Sequence, residues 1–394
     1  MLKRLVIFLC IVLLLTFNVS AINEVADTVP LEAVPIAAEG ETLDIKAQSV
    51  ILIDANSKGV LYEMGSDLKS PPASITKIMS LLLVMEAIES GSLSYDTVLT
   101  CTDTAAALGG SQIWLEPGEE MSVYDLIKAV TVVSANDATV MLAEAVAGSE
   151  ESFVALMNEK AKALGMNSTN FENCTGLDSE NHYSSAYDVA IMGAELLKHE
   201  KITEFTTIWM DSLRNGESEL VNTNKLVRFY EGCTGLKTGT TADAGYCLCA
   251  SATRNGLSLI AVVMNGATSN DRFSGAQKLL NYGFAHYQSV KIEPEIDENT
   301  LVSVKGGVED YIRVKPGSAF STLLKKSQKA DIKSEVILPE FVNAPIKAGD
   351  KIGEIVYTLG DTSLGSIDLI AENGAHKRTI WRSFGILLKY LCTL

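Results

Sequence analysis

The sequence predicts an α+β protein: a domain in which one antiparallel sheet is covered by helices, then a small all-β domain and a C-terminal amphipathic helix. Three observations predict it. Hairpin patterns stand near both ends of the segment 45–288, the stretch between them has helical periodicity, and after residue 291 short alternating runs take over.

The first hairpin runs over residues 49–54, turns at Asn56-Ser57-Lys58-Gly59 and returns over 60–64. The second runs over 246–253, turns at Arg254-Asn255-Gly256 and returns over 257–264. Between them, residues 75–88, 122–132, 138–147 and 152–164 carry apolar side chains at helical spacing. Strands from both ends of the domain therefore join one sheet, helices cover one face, and a closing helix over about 271–286 covers the other. The later runs, 300–304, 311–314, 331–338 and 351–359, are interrupted by Gly and Pro and form a separate β domain over 289–374. Nothing in that domain has the look of a catalytic constellation, so it is expected to be a spacer or an interaction module.

The ends of the chain speak to location. Lys3 and Arg4 precede an apolar run over 5–15 that leads to Val19-Ser20-Ala21, the pattern of a secretory signal peptide cleaved after Ala21. The run is shorter than the roughly 20 residues that a bilayer span requires. A leader rich in Ala, Glu and Pro, 22–44, follows. In the tail, 375–394, Ile380, Trp381, Phe384, Leu387, Leu388 and Leu391 share a helical face, with Lys377, Arg378, Arg382 and Lys389 beside it. Basic charge next to an apolar, Trp-bearing face in an acidic protein predicts a helix lying in the membrane interface, on the outer face of the cytoplasmic membrane for an exported chain. A terminal helix docked on the protein's own core is the alternative.

Composition excludes some classes. The 394 residues carry a formal charge of −17, which disfavours nucleic acid, whose binding depends on Lys and Arg meeting phosphates. Cysteine density is too low for a disulfide framework. Cys233 and Cys247 flank the downstream hairpin region and could be bridged; two buried free thiols are the favoured reading. No Cys/His set has zinc spacing, and neither metal nor cofactor is expected.

The chemistry lies in three short motifs. Ser74-Ile75-Thr76-Lys77 opens an apolar helix after Pro71-Pro72, and a spacing of three puts Ser74 and Lys77 on one face. A serine hydroxyl needs a base to attack a carbonyl, and a lysine made neutral by burial can supply it. Ser-x-x-Lys alone is weak evidence. Ser134-Ala135-Asn136 at a junction of helices and Lys237-Thr238-Gly239 at the start of the downstream sheet complete, in order, the three-motif signature of penicilloyl-serine enzymes.

With these motifs the chain resembles the low-molecular-mass penicillin-binding proteins that are D-alanyl-D-alanine carboxypeptidases. The likeness extends from about residue 45 to the C-terminus and includes Phe153-Val154-Ala155-Leu156-Met157-Asn158, Ala163-Leu164-Gly165-Met166, Thr175-Gly176-Leu177, His182-Tyr183-Ser184-Ser185-Ala186 and Ala244-Gly245-Tyr246. It implies a penicillin-binding-protein/β-lactamase-like catalytic domain with Ser74 as nucleophile, Lys77 as its base and Ser134 as proton relay to the departing D-alanine. It further implies that Asn136 holds the substrate amide and helps orient Lys77, and that Lys237 and Thr238 bind the terminal carboxylate. Gly239 would let the substrate lie edge-on to the strand, and the N–H groups of Ser74 and Thr240 would form the oxyanion hole. Arg272 falls where the family has an arginine near the carboxylate pocket, although a surface cation at a helix start is the plainer reading. Peptidoglycan stem peptides would be the substrates and β-lactams covalent inhibitors.

Alternatives remain open at this point. A transpeptidase or endopeptidase would use the same acyl-enzyme, and a catalytically silent wall-binding scaffold would use the β domain alone. A class A β-lactamase would need a loop glutamate in the pattern E-x-x-L-N; Phe171-Glu172-Asn173-Cys174-Thr175-Gly176 does not supply it. Thr240 stands where some family members carry a histidine.

Overall fold

The computed structural model describes residues 38–379, except Glu39, Glu298 and 329–331. The expected signal peptide, the leader up to residue 37 and the apolar face of the tail from Ile380 onward lie outside the described residues, as do Cys10 and Cys392. The chain divides into two compact units, Met1–Ala285 and His286–Leu394.

In the first unit, strands β1 (Ala47–Asp54) and β2 (Val60–Met64) are followed by a 3₁₀ turn, Ala73–Thr76, that runs directly into α1 (Lys77–Glu89). Helices α2 (Val123–Val132), α3 (Asn136–Ala147), α4 (Glu150–Ala163) and α5 (Ala186–Leu196) come next. Strands β3 (Cys233–Thr241), β4 (Gly245–Arg254) and β5 (Leu257–Gly266) and the closing helix α6 (Ser269–His286) follow, and the unit also holds short helices and two small ribbons, Val98–Thr100 with Glu120–Ser122 and Met210–Leu213 with Ser218–Val221. The spatial strand order is β2-β1-β5-β4-β3, antiparallel throughout, so the two ends of the domain meet where β1 pairs with β5, Ile51 opposite Val262 and Ile53 opposite Ile260.

Both faces of this sheet are buried, which is why β1 reads as a continuous apolar run. Period-2 alternation divides its side chains. Ile51, Ile53, Ile260, Val262 and Met264 join the core shared with the helices. Leu52, Leu259 and Val263 point the other way, toward α6, where they occupy the space that β-carbons at Gly275 and Gly283 would claim.

Helix starts follow local chemistry. The hydroxyls of Ser122, Ser149 and Ser185 each accept an N–H bond from the residue three positions on, capping α2, α4 and α5. α5 did not emerge from periodicity because nearly all its residues are buried, and a helix that is apolar all round shows no stripe.

The loop after α4 is strapped to the N-terminal face of α1. Its ends are held by antiparallel bridges, Asn170 with Tyr183 and Ser70 with Ser184. Asn158 brackets Phe171, donating to its carbonyl at 2.8 Å and accepting its N–H at 2.9 Å. Asn173 Oδ1 accepts the N–H of Gly176 at 2.7 Å, and Ser80 Oγ donates to the Cys174 carbonyl at 2.6 Å. Gly176 has φ +88°, and a β-carbon there would stand 1.8 Å from the Ala73 carbonyl oxygen. No other residue type permits that approach.

The second unit is all β. Its six-stranded sheet has the order Ile332–Ile337, Lys351–Leu359, Thr362–Ala371, Tyr311–Pro316, Leu301–Lys305, Phe341–Asn343, and a separate pair joins Tyr287–Ile292 to Phe320–Lys325. Burial alternates along Leu301–Lys305, and Val302, Val304, Ile312 and Val314 form a small core, matching the alternation in the sequence. Phe320 stacks on Tyr357 with ring centroids 4.0 Å apart in a second cluster.

Among the described residues every cysteine is free. Cys233 lies opposite Ala252 and Cys247 opposite Gly239, so the register of β3 and β4 keeps the two thiols apart and no cross-strand bridge forms.

The contact at Gly176 yields a prediction. Gly91, in open space at φ +79°, is the control: Gly91→Ala should cost only the left-handed backbone penalty, about 1 kcal/mol. Gly176→Ala adds a collision with backbone and should cost about 2 kcal/mol or more. Urea midpoints of the two variants test this; equal losses would contradict it.

Candidate active site

Ser74 is presented, half-buried, by the 3₁₀ turn that starts α1, and the residue before it, Ala73, has φ 48°. A positive φ outside glycine is uncommon and costs free energy, so the turn is held in place by its surroundings. Lys77, one turn on, is 0% exposed. Its Nζ lies 2.9 Å from Ser74 Oγ and 2.7 Å from the Thr175 carbonyl oxygen. Burial among apolar residues drives its pKa down to about 7, while the charge of Asp137 pulls weakly the other way. Near neutral pH a large share of Lys77 is therefore an uncharged amine, able to accept the hydroxyl proton of Ser74.

Ser134 separates α2 from α3. It also has a positive φ, 64°, and its Oγ is buried without a hydrogen-bond partner among the described residues. Asn136 opens α3 and is tied to a neighbouring loop: its backbone N–H donates to Ser111 O and its side-chain amide to Gly109 O, both at 2.7 Å. Asp137 accepts the N–H groups of Ile113 and Leu115 on the same loop. The direct hydrogen bonds of Lys77 run to Ser74 Oγ and to the Thr175 carbonyl, which orients the amine from the loop side.

Lys237-Thr238-Gly239 lies in the middle of β3 rather than at its start, and β3 is the sheet edge beside the serine turn. Lys237 is 1% exposed, its Nζ donating to the Thr238 carbonyl at 3.0 Å. Gly239 was expected to make room for substrate. A β-carbon there would lie 2.9 Å from Pro72 O and 3.1 Å from both Ala73 Cβ and Ile75 N, so the missing side chain is also what admits the serine turn. The glycine lets the nucleophile's turn close onto the strand.

Arg272 is no surface cation. It is 1% exposed and donates to Thr240 Oγ1 at 2.8 Å and to Gly239 O at 3.2 Å, placing fixed positive charge behind β3. Two further residues join the site that sequence reasoning did not single out. Thr175 supplies the carbonyl facing Lys77, and Thr223 bonds Thr238 Oγ1 at 2.6 Å while its N–H donates to Val132 O, linking β3 to the end of α2 just before Ser134. Both act through position or backbone: Thr175 falls within the Thr175-Gly176-Leu177 segment that carries the family likeness, whereas Thr223, a single threonine in a loop, carries no sequence signal. Glu172 accepts hydrogen bonds from Ser179 Oγ and the Asn181 N–H, and these hold its carboxyl below the usual range. It is engaged within its own loop.

The serine turn thus sets Ser74 against a buried lysine of depressed pKa, beside the edge strand that carries Lys237, an arrangement suited to acyl transfer from a substrate bearing a carboxylate. Comparison with known proteins agrees. Residues 36–268 match the family described as D-alanyl-D-alanine carboxypeptidase, and residues 287–377 match the C-terminal domain of penicillin-binding protein 5. The D-alanyl-D-alanine carboxypeptidase DacF of Bacillus subtilis (strain 168) is 41% identical over 336 residues, covering 84% of this chain and 86% of that one. The crystal structure of penicillin-binding protein 5 from Haemophilus influenzae superposes with a TM-score of 0.72 at 31% identity, over 86% of this chain and 99% of that one. Penicillin-binding protein D2 of Listeria monocytogenes, solved in its ampicillin-bound form, matches with a TM-score of 0.57 at 31% identity, over 62% of this chain and all (100%) of that one. The chain therefore belongs to the D-alanyl-D-alanine carboxypeptidases, the serine peptidases of family S11.

Proposed function

We propose that this enzyme removes the terminal D-alanine from peptidoglycan pentapeptide stems through an acyl-enzyme on Ser74. The observation that carries this reading is the pair formed by Ser74 Oγ and the buried Lys77 Nζ at 2.9 Å, its pKa lowered by burial to about 7.

As Oγ attacks the carbonyl of the penultimate D-alanine, Lys77 takes its proton. The N–H groups of Ser74 and Thr240 receive the developing oxyanion. Ser134 relays that proton from Lys77 to the leaving amine, the C–N bond breaks, the terminal D-alanine departs, and Lys77 is left neutral. Water then attacks the Ser74 ester, with Lys77 again as base, and frees the shortened stem. Lys237 and Thr238 bind the terminal carboxylate, with the charge of Arg272 behind them, and Asn136 meets the substrate amide. β-Lactams acylate the same serine, a reading supported by the ampicillin-bound form of the Listeria relative. The engagement of Glu172 with Ser179 and Asn181 argues against the water-activating role that a class A β-lactamase requires.

The signal-like segment 1–21 and the basic amphipathic tail 375–394 support action outside the cytoplasm, with the tail resting on the outer face of the membrane. Among the described residues no helix is long and apolar enough to cross a membrane. We assign residues 45–288 to catalysis and 289–374 to a β-rich spacer or docking module.

Two outcomes follow. Ser74→Ala should abolish both D-alanine release from a pentapeptide and covalent labelling by a fluorescent penicillin, with thermal stability little changed; persistent labelling would refute the assignment. Protonated Lys77 cannot accept a proton, so the acylation rate should fall about tenfold per pH unit below an apparent pKa of about 7 and level off above it. A rate that is flat from pH 5 to pH 8 would contradict this.

A further inference from the structure

The nucleophile's helix and the 171–182 loop are joined at a point that neither Ser74 nor Lys77 occupies. His182 is 3% exposed and sits between them. Its Nδ1 accepts the N–H of Glu172 at 3.0 Å, which fixes the neutral tautomer with the proton on Nε2. That Nε2–H then donates to Thr76 Oγ1 at 2.8 Å. Thr76 lies within the Ser74–Lys77 turn, so the imidazole is a two-ended strut between the loop backbone and the catalytic turn. Phe171 packs edge-on against the ring at 5.7 Å and fixes its plane.

The strut is one of four contacts that zip the loop onto a single face of the helix. Gly176 closes on Ala73, His182 on Thr76, the Thr175 carbonyl on Lys77, and the Cys174 carbonyl on Ser80. These helix positions are spaced by three and four and so share one side. Two of the contacts set the chemistry directly: the Thr175 carbonyl places the lysine amine, and Gly176 limits where the serine turn can sit. His182 is the only contact of the four made by a side chain of the loop on a side chain of the catalytic turn. It lies at the far end of the loop, beside the Asn170–Tyr183 and Ser70–Ser184 bridges, and couples that end directly to the turn between Ser74 and Lys77.

We infer that His182 is a positioning residue, whose neutral imidazole holds the Thr175 carbonyl and the dry packing around Lys77 in register with Ser74. This inference rests on the reading of Ser74 and Lys77 as nucleophile and base. Burial lowers the His182 pKa to about 4 against the upward pull of Glu172 and Asp178, so the strut stays neutral throughout the pH range in which Lys77 works.

The test is the pH dependence of acylation by a fluorescent penicillin, measured on the full chain together with thermal melting. Wild type should show an acid limb at about 7. His182→Ala should acylate at least about tenfold more slowly, part of the 10²–10⁴ that a well-placed base contributes, and its acid limb should move upward as water reaches Lys77. His182→Gln, which can accept from Glu172 and donate to Thr76, should restore most of the rate and the original limb. Thr76→Val, which removes the acceptor at the other end, should reproduce the His182→Ala profile, and the double variant should lose no more than either single one. If His182→Ala fails to fold, the comparison of Thr76→Val with Thr76→Ser decides by the same limb shift. An unchanged acid limb in His182→Ala or Thr76→Val would overturn the inference, as would additive losses in the double variant, because a purely structural role lowers the melting point without moving the limb. Labelling of Ser74→Ala would instead point to failure of the underlying reading.

Discussion

Burial of the Lys77 amine is the constraint on which the rest of the catalytic unit depends. An ammonium taken out of water without an adjacent counter-ion is costly, and the protein meets that cost by letting the group lose its proton near pH 7 and by offering one carbonyl, that of Thr175, at 2.7 Å. A carbonyl can be placed there only if the 171–182 loop lies flat on α1. The flat approach in turn requires Gly176 against Ala73, the Asn173 side chain under the loop and Ser80 beneath Cys174. Lysine basicity and loop geometry are thus one problem with one solution.

The nucleophile's turn is gripped from the other side by β3. Gly239 brings the strand backbone within van der Waals range of Pro72 and Ala73, Thr223 ties the strand to the end of α2, and Arg272 holds it from behind. Both motif serines are next to or in left-handed backbone: Ala73, which precedes Ser74, has φ 48°, and Ser134 is itself at φ 64°. Such residues cost of order 1–3 kcal/mol each. The surrounding grip keeps the turns in place, and the paired faces of the sheet, buried under helices on one side and α6 on the other, give that grip a rigid base.

Much of this was legible in the sequence, and the reasons are specific. The strands Ala47–Asp54 and Leu257–Gly266 and the helices α1 to α4 appeared with small boundary shifts because their apolar spacing is strong. α5 escaped notice because it is buried all round, and the strand Thr362–Ala371 because its exposed and half-buried positions break strict alternation. The site residues Ser74, Lys77, Ser134 and Lys237 stood out because their motifs recur in order. What the motifs could not convey was backbone function: the Thr175 carbonyl that faces Lys77, the Thr223 link, and the room that Gly239 makes for the serine turn. Arg272, plausible as a surface cation from its place at a helix start, is one of the largest fully buried side chains. Its neighbours in space, Gly239 and Thr240, are 33 and 32 positions away in the chain.

The central claim is that the acyl group rides on Ser74 Oγ. The most direct measurement is mass mapping of the enzyme trapped with penicillin. Cleavage after Lys69 and Lys77 releases the segment 70–77, which holds Ser70 and Thr76 as well as Ser74, and fragmentation of that peptide locates the adduct. The account predicts a single adduct on Ser74. An adduct on Ser70, Thr76 or Ser134, or D-alanine release with no adduct formed anywhere, would contradict it.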